Sequence, residues 1–191
     1  MRYEKGRKDA SRRRILEVAA ERFRSDGIAA SGLAGIMSGA GLTNGAFYPH
    51  FKSKGELVRE SVAGTIAAQS DRLREHLDAG GLEAVIEAYL SPKHRDDPTN
   101  GCAAAALLPE LAREPLETRR ICADRLEATI RALAEALPSG AGDREDAALG
   151  IYATLIGALQ LARAAKGTPL SDRILAAGAE AARALVEARR R

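Results

Sequence analysis

The chain has 191 residues, is rich in alanine and leucine, and contains 4% aromatic residues, two cysteines and no tryptophan. Cys102 and Cys122 are too few for a disulfide framework or a cysteine zinc cluster, and no long uncharged apolar span indicates a membrane partner. Because valine, isoleucine and threonine never gather into alternating runs, the composition predicts an all-α protein. The expected setting is the reducing cytoplasm, and no cofactor or metal is expected.

The formal net charge of +3 is unevenly distributed. Residues 1–60 hold 12 Lys and Arg against 7 Asp and Glu, a net charge of +5, whereas the remainder carries −2. The basic side chains concentrate in an N-terminal arm: Arg2, Lys5, Arg7, Lys8, Arg12, Arg13 and Arg14. Such an arm is either a solvated tail or a surface that attracts nucleic acid or an anionic membrane, and the residues after it decide between these.

Two helices are predicted directly after the arm. The first begins at Ser11, has one apolar face and ends at Gly27, where a left-handed cap is expected. The second is predicted to be N-capped by Ser31 and stopped by Gly41. Three glycines at and within this segment are poor helix formers, which predicts a loosely held second helix; they are Gly32, Gly35 and Gly39.

Two further helices complete the N-terminal region. Thr43 is expected to cap a short third helix of sequence NGAFYPHF, which Pro49 limits. The fourth begins at Ser53, where S-K-G-E is a capping box, and runs to about residue 78 before Gly80–Gly81 breaks it. We place the domain boundary at its start, giving an N-terminal domain over 1–52, with the basic arm and three short helices, and a longer helical domain over 53–191.

The C-terminal region is alanine-rich and predicts five more helices, for about nine in all. A loop, SPKHRDDPTNG, follows the first of them, and Pro109 is expected to kink the second. The five segments are LEAVIEAYL, GCAAAALLPELARE, 116–137, 144–166 and a last helix from about Ser171 to the Arg-rich terminus. The break PSGAGD separates the third from the fourth.

A glycine-rich stretch, SGAGLTNGAFYPHFKSK, spans residues 38–54. Its spacing is G-x-G-x-x-x-G, and helical rather than strand periodicity precedes it, so it does not fit a dinucleotide-binding loop. Two short helices with a tight A-G-L-T turn between them are instead typical of a helix-turn-helix. Gly41 suits the turn because a left-handed conformation costs it nothing, and Leu42 is expected to fill the core beneath it.

These residues resemble the tetracycline-repressor-like (TetR) family of transcriptional regulators. The similarity lies in IL-x-x-AA-x-x-F-x-x-x-G at 15–27 and AGLTNGAFYPHFKSKGEL at 40–57, in matching order and spacing, with weaker similarity in GCAAAALLPELAREP and LSDRILAAG. The resemblance implies a sequence-specific DNA-binding regulator with an N-terminal helix-turn-helix and a C-terminal helical domain that dimerises and binds a small effector. Most relatives repress transcription.

The family pattern and the side-chain chemistry together give a set of candidate DNA-binding residues: Ser31, Thr43, Asn44, Gly45, Ala46, Tyr48, His50 and Lys54. Asn44 is the best candidate for a base, because a carboxamide matches the donor and acceptor edge of adenine. The resemblance implies backbone contacts for Tyr48, His50 and Lys54, and Ser31 and Thr43 offer hydroxyls to phosphate at helix N-termini. Phe47 and Phe51 are assigned to the core.

The dimer is predicted to be built by the last two helices. Each has an apolar stripe with small residues that permit close approach. The two stripes are Ile151, Leu155, Ala158 and Ala162, and Ile174, Gly178, Ala181 and Leu185. The expected DNA partner of a two-fold dimer is a palindromic operator.

The effector site is predicted among consecutive C-terminal helices, where the family encloses a ligand pocket; the alternative is an ordinary filled core. The candidate residues are Leu77, Val85, Tyr89, Cys102, Leu107, Leu108 and Leu126. Cys102 follows Gly101 at the expected start of a helix, whose dipole favours a thiolate, so oxidant or electrophile sensing is an alternative to noncovalent ligand binding. A small buried side chain is the plainer interpretation of that cysteine.

Two other classes of function compete with the regulator. No catalytic pattern is present, and His94, Asp96 and Asp97 lie among turn formers, where a metal site is the less favoured interpretation, so no enzyme is predicted. The remaining alternative is a helical small-molecule-binding or assembly protein without DNA activity.

Overall fold

The computed structural model describes residues 2–139 and 143–188, with side chains described from Gly6 onward. These ranges contain eight α-helices, one short 3-10 helix and no strand, which confirms the predicted all-α class. The helices are α1 (Arg2–Asp26), α2 (Leu33–Gly39), the 3-10 helix (Asn44–Ala46), α3 (Lys54–Tyr89), α4 (Pro92–Asp96), α5 (Ala103–Leu111), α6 (Leu116–Ala136), α7 (Arg144–Ala164) and α8 (Pro169–Glu187). Four predicted features lie outside the described residues: the Arg2 and Lys5 side chains, residues 140–142 of the predicted break and the final arginines at 189–191.

Three differences separate this arrangement from the nine predicted helices. Helix α1 begins within the basic arm, because residues 2–14 contain mostly good helix formers. The Gly80–Gly81 break is a kink inside α3, with Gly81 at φ +66°, and not an end of the helix. A short α4 forms within the predicted loop, where Pro92 occupies its first turn and the Ser91 hydroxyl accepts the His94 N–H at 3.1 Å.

The N-terminal core lies between α1, α2 and the first half of α3. Phe47 and Phe51 are each 1% exposed and their rings stack at 5.6 Å, which confirms their assignment to the core. Helices α5 and α6 contribute to the same core through Ala103, Leu107, Leu111 and Cys122. This core draws residues from both sides of the predicted boundary between residues 52 and 53. The boundary itself stays a prediction.

The glycines of α2 permit close packing against α1, while the expectation of a loosely held helix stays a prediction. A Cβ at Gly39 would lie 2.8 Å from Val18 Cγ1, and one at Gly35 would lie 2.9 Å from an Arg22 nitrogen, so both glycines face α1. Gly32 is the N-cap residue and lies outside the helix. The glycines therefore let α2 approach α1 more closely than alanine would allow.

The helix-turn-helix turn forms where it was predicted. Gly41 has φ +73°, and the Leu42 N–H donates to the Met37 carbonyl at 2.9 Å, which closes α2. Beyond the turn, the predicted third helix is a single 3-10 turn followed by a bend, with the His50 and Phe51 N–H groups donating to the Phe47 carbonyl. Pro49 lacks an N–H, so an α-helix cannot continue through it with a full set of bonds.

The C-terminal core is formed by α3 beyond its midpoint and by α4 to α8. Helices α7 and α8 pack antiparallel within the protomer, and a Cβ at Gly178 would lie only 2.4 Å from the Ala158 Cβ. The predicted dimer stripe on α7 is therefore wrong: its four members are buried inside one protomer, at 0, 1, 8 and 0% exposure for Ile151, Leu155, Ala158 and Ala162. Of the α8 stripe, Gly178 is buried and Ile174 half-buried, while Ala181 and Leu185 are exposed.

By length and composition alone, α7 is the one helix in the described ranges that is apolar enough to cross a membrane. Seven of its residues are buried against the rest of the protein: Ala148, Ile151, Leu155, Ile156, Ala158, Leu159 and Ala162. This burial is typical of the central helix of a helical core.

Candidate nucleic-acid interface and ligand cavity

The segment from Thr43 to Tyr48 presents an exposed surface over a buried base. Thr43, Asn44, Gly45 and Tyr48 are exposed, with Tyr48 at 71%, while Phe47 anchors the segment in the core. Ala46 is half-buried, and a Cβ at Gly45 would meet nothing within 4 Å. Thr43 occupies the N-cap position, but its side chain makes no capping hydrogen bond within the described structure, so its hydroxyl is available to another partner.

Basic side chains of α1 border this surface. The Arg12 guanidinium lies 4.7 Å from the centre of the Phe51 ring and is paired with Glu60. His50 is half-buried, and its Nδ1 atom is buried without a partner among the described residues. Burial, together with the positive charges of Lys8 and Arg12, lowers the pKa of His50. The imidazole is therefore neutral beside a cationic helix, an arrangement that an anion would relieve.

Two predicted DNA contacts have structural partners within the chain. Ser31 is 1% exposed and its hydroxyl donates to the Gly27 carbonyl at 2.6 Å, while Gly32 occupies the N-cap position assigned to Ser31. The Ser31 hydroxyl is thus not accessible to a phosphate, which corrects that prediction. Lys54 Nζ donates to the Ile28 carbonyl at 2.6 Å, and its remaining N–H groups stay available because an ammonium has three donors.

A cavity of about 410 Å³ lies in the C-terminal region between α3, α4, the start of α5, α6 and α7. Val85, Tyr89 and Cys102 line it, as predicted for an effector pocket. Four other predicted residues are absent from its wall: Leu107 is buried in the N-terminal core, and Leu77, Leu108 and Leu126 pack around the C-terminal core. Sequence reasoning missed Gln69, Thr129 and Tyr152, whose contribution depends on long-range packing that carries no local signal.

His94 connects the cavity wall to α5. Its Nε2 accepts the Cys102 backbone N–H at 3.0 Å, so Nδ1 carries the proton and donates to the Tyr89 carbonyl at 2.7 Å. The ring also packs edge-on against Tyr89, with 4.8 Å between centroids. Burial lowers the pKa of His94, which agrees with a neutral ring that uses one nitrogen as an acceptor. Cys102 is the N-cap residue of α5, as the sequence predicted.

The acidic residues beside His94 form ion pairs and turns. Asp96 pairs with Arg95 and Lys166, and these hydrogen bonds lower the Asp96 pKa to about 2. Asp97 accepts the backbone and side-chain N–H groups of Asn100. No group of three potential metal ligands occurs within residues 2–139 and 143–188.

The opposite end of α5 contacts the N-terminal region. The Glu110 carboxylate accepts the Ile28 N–H at 3.1 Å and the Ala29 N–H at 2.9 Å, in the loop that leads into α2. Near the cavity end, Gln69 of α3 donates to the Gly101 carbonyl and accepts the Ala103 N–H. Arg24 of α1 donates to the Thr99 carbonyl of the same loop. Hydrogen bonds thus connect α5 and the loop before it to α1, to α3 and to the loop before α2.

Residues 15–61 match the model of a family described as bacterial regulatory proteins, tetR family. This segment of the chain is similar to that family. The match contains α1 from Ile15, the helix-turn-helix and the start of α3, including all eight candidate DNA-binding residues.

A curated relative supports the same placement. Over 74 residues the chain is 35% identical to the HTH-type transcriptional repressor KstR2 of Mycobacterium tuberculosis, a stretch covering 39% of this chain and 37% of the repressor. The chain therefore spans little more than a third of the length of the curated relative that it matches.

Solved structures extend the likeness beyond residues 15–61. The chain is similar to reduced NemR of E. coli (TM-score 0.73, 20% identity, 88% of this chain and 94% of that one) and to a TetR-family regulator of Cytophaga hutchinsonii (TM-score 0.74, 20% identity, 95% and 96%). It is also similar to FadR of Bacillus subtilis in complex with stearoyl-CoA (TM-score 0.70, 19% identity, 91% and 96%). At these identities the likeness establishes a shared fold, which includes the helices that enclose the cavity.

Proposed function

We propose that this protein is a DNA-binding transcriptional regulator, acting in the cytoplasm as a repressor that a small effector releases from its operator. One observation carries the proposal: the part of the chain that matches the tetR-family model has a solvent-exposed segment, Thr43 to Tyr48, on a buried Phe47–Phe51 base beside the basic helix α1. The partly matching relative is a transcriptional repressor, which favours repression over activation.

In the proposed complex, Asn44 contacts a base edge and its neighbours contact the backbone. The Asn44 carboxamide is exposed and suits adenine, while Gly45 and Ala46 leave room for close approach and for a thymine methyl. Phosphate contacts are assigned to Thr43, Tyr48, His50 and the free donors of Lys54. Ser31 leaves this set because its hydroxyl is buried.

The effector is proposed to occupy the 410 Å³ cavity. Ligand contact with Tyr89 or Cys102 would be transmitted through His94 to the start of α5, and from Glu110 to the loop before α2. An effector that binds more tightly to a conformation unsuited to DNA would release the operator. The similar FadR structure holds stearoyl-CoA, an example of ligand binding within this fold.

A two-fold dimer is proposed through the outer faces of α7 and α8. Four large apolar side chains on these helices are 39–61% exposed in the protomer: Leu149, Leu161, Leu170 and Leu185. Burial of these faces against a second copy would remove apolar area from water and hold two DNA-binding domains for a palindromic operator.

The decisive experiment is a gel-shift titration with DNA flanking the protein's own gene, using unrelated DNA of equal length as competitor. The regulator is expected to form a specific complex that weakens steeply with salt. Wild-type protein that binds both DNAs equally weakly would instead support a helical binding or assembly protein without DNA activity.

A second candidate function is a thiol-based sensor, which the position of Cys102 in the cavity wall favours. Its Sγ lines the cavity, 3.8 Å from the Tyr152 hydroxyl, whereas Cys122 is buried in the N-terminal core. Operator binding should be measured after treatment with peroxide or N-ethylmaleimide in the wild type, Cys102→Ser and Cys122→Ser. If the treated wild type and Cys122→Ser lose operator binding but Cys102→Ser keeps it, the sensor is supported. If the treated wild type keeps full binding and its Cys102 is unmodified, the sensor is rejected.

A further inference from the structure

The Tyr89 hydroxyl is buried and makes no hydrogen bond of ordinary geometry within the described residues; its polar contact is the Cys102 thiol, a weak acceptor, and both residues line the cavity. Burial raises the pKa of this phenol well above its ordinary value, so it stays a neutral donor at physiological pH. An unpaired buried hydroxyl destabilises a folded protein, and most such groups in native structures find a partner. The cavity is the adjoining space in which a partner for Tyr89 would lie.

The other polar groups around the cavity already have partners within the chain. Gln69 uses both ends of its amide on the loop before α5, and His94 uses both ring nitrogens. Thr129 donates to the Arg125 carbonyl and lies 3.1 Å from the Ser70 hydroxyl. Compared with these three side chains, the Tyr89 hydroxyl has the weaker partner, since a thiol is a poor acceptor.

The charged side chains that line the cavity lie at its edge. Arg72, His76 and Lys93 line it but are exposed, and Asp97 is bonded to Asn100. The Arg163 guanidinium lies behind the wall, where it donates to the carbonyls of His94 and Arg95. The remaining lining is mainly apolar: Ile66, Leu73, Val85, Leu133 and Leu155. A carboxylate placed beside Tyr89 would lose its hydration without a free cation to compensate it.

We propose that the cavity binds a small, uncharged, apolar molecule carrying one hydrogen-bond acceptor, such as a ketone carbonyl, which accepts a hydrogen bond from the Tyr89 hydroxyl. This assignment rests on the proposed function, since it names the ligand class of the proposed effector site. The apolar walls supply the affinity, and Tyr89 discriminates, because a site built to hydrogen-bond one group rejects an isostere that lacks it.

The test uses three probes of nearly equal shape: 1-acetylnaphthalene, 1-ethylnaphthalene and 1-naphthoate. Binding is measured by calorimetry on the full chain without DNA, so the result does not depend on whether the protein regulates transcription. We expect the ketone to bind wild-type protein about tenfold more tightly than the ethyl compound. The naphthoate should bind more weakly than the ketone. Failure of the ketone to bind, or preference for the naphthoate, would overturn the proposal.

Tyr89→Phe identifies the group responsible. The ketone's advantage over the ethyl compound should fall to about twofold or less, while affinity for the ethyl compound is kept. The variant should unfold at the same temperature as the wild type or higher, because it removes an unpaired hydroxyl. Thr118→Val is the matched control: Thr118 is a second buried, unpartnered hydroxyl but lies outside the cavity lining, so this variant should keep the wild-type discrimination. An unchanged ketone advantage in Tyr89→Phe would overturn the assignment.

Discussion

The Glu110 carboxylate binds the Ile28 backbone N–H across 82 positions of sequence, and its second oxygen binds the N–H of Ala29. Gly27 beside them has φ +88°, and a Cβ there would lie 2.6 Å from Glu110 Oε1. The loop before α2 therefore fits closely around this carboxylate. Helix α5 joins the cavity at one end to the helix-turn-helix at the other.

Replacing Glu110 by alanine should destabilise the protein and free this loop. Two backbone donors lose a charged acceptor, so we expect the free energy of unfolding to fall by about 1–3 kcal/mol. Amide hydrogen exchange should accelerate at Ile28 and Ala29. Glu87→Ala removes an exposed carboxylate on α3 and serves as the control. Unchanged exchange at both amides would mean that the contact contributes little in solution.

Asn44→Ala and Tyr48→Phe should weaken operator binding in different ways. Loss of a base contact should remove discrimination at one base pair, on the order of 1–3 kcal/mol. Loss of the exposed Tyr48 hydroxyl should instead weaken all operators nearly equally. Competition titrations with single-base operator variants measure both effects. If Asn44→Ala ranks every operator variant as the wild type does, its proposed base contact is wrong.

Operator affinity should rise as the pH falls through the pKa that His50 has in the complex. In the free protein, burial and the charges of Lys8 and Arg12 lower the pKa of His50, so the ring is neutral at pH 7. A phosphate favours the charged ring, so the complex binds more protons than the free protein, and acid strengthens it. His50→Gln should remove this component at constant ionic strength. An identical pH dependence in the variant would contradict the contact.

His94 should make the fold sensitive to acid. Burial lowers the pKa of His94 in the folded state, so the unfolded chain binds the proton more readily. The stability from the neutral ring is complete above the unfolded pKa of about 6.5 and is lost as the pH falls below it. Melting temperatures from pH 7.5 to 5.5 should therefore decline, and less steeply in His94→Gln. His50 also has a lowered pKa, so His50→Gln in the same series measures its contribution separately from that of His94.

Leu161→Glu should separate the proposed dimer without unfolding the protomer, because Leu161 is 61% exposed on the outer face of α7. Leu155→Glu places a charge at a position that is 1% exposed and should destabilise the protomer by several kcal/mol, roughly the cost of an unpaired buried charge. Sedimentation velocity and circular dichroism distinguish the two results. A folded Leu161→Glu variant that remains a dimer would move the interface to another surface.

The sequence signals that succeeded were local. Few residues other than glycine adopt a positive φ, so the turns at Gly27 and Gly41 were predictable from the residues themselves. The spacing of four between Phe47 and Phe51 likewise predicted their shared burial. Such features need only a few neighbouring residues.

Most of the predictions that failed depended on partners distant in sequence, although Ser31 failed through a partner only four residues away. Both faces of α7 carry leucine, so periodicity could not tell that Leu155 faces the protomer core and Leu161 faces solvent. Ser31 has the chemistry of an N-cap, but a hydrogen bond to Gly27 buries it and leaves Gly32 at the cap. Most of the cavity lining was unpredictable for the same reason. Thr129 and Tyr152 line the cavity beside Tyr89 only because α6 and α7 pack next to α3.

In the proposed regulator, the part of α3 before the Gly80–Gly81 kink is an arm over which a movement at the cavity would be magnified. Before the kink, α3 runs from Lys54 at the DNA-binding end to Gln69, Arg72 and Leu73 at the cavity. About 16 residues of helix between these points correspond to a radius of about 24 Å. Rotation of this arm by about 5° displaces its DNA-binding end by about 2 Å, enough to break hydrogen bonds whose useful range is a few tenths of an ångström. If the proposed function is right, a ligand would need to shift the cavity wall by only a fraction of an atomic diameter to weaken operator binding.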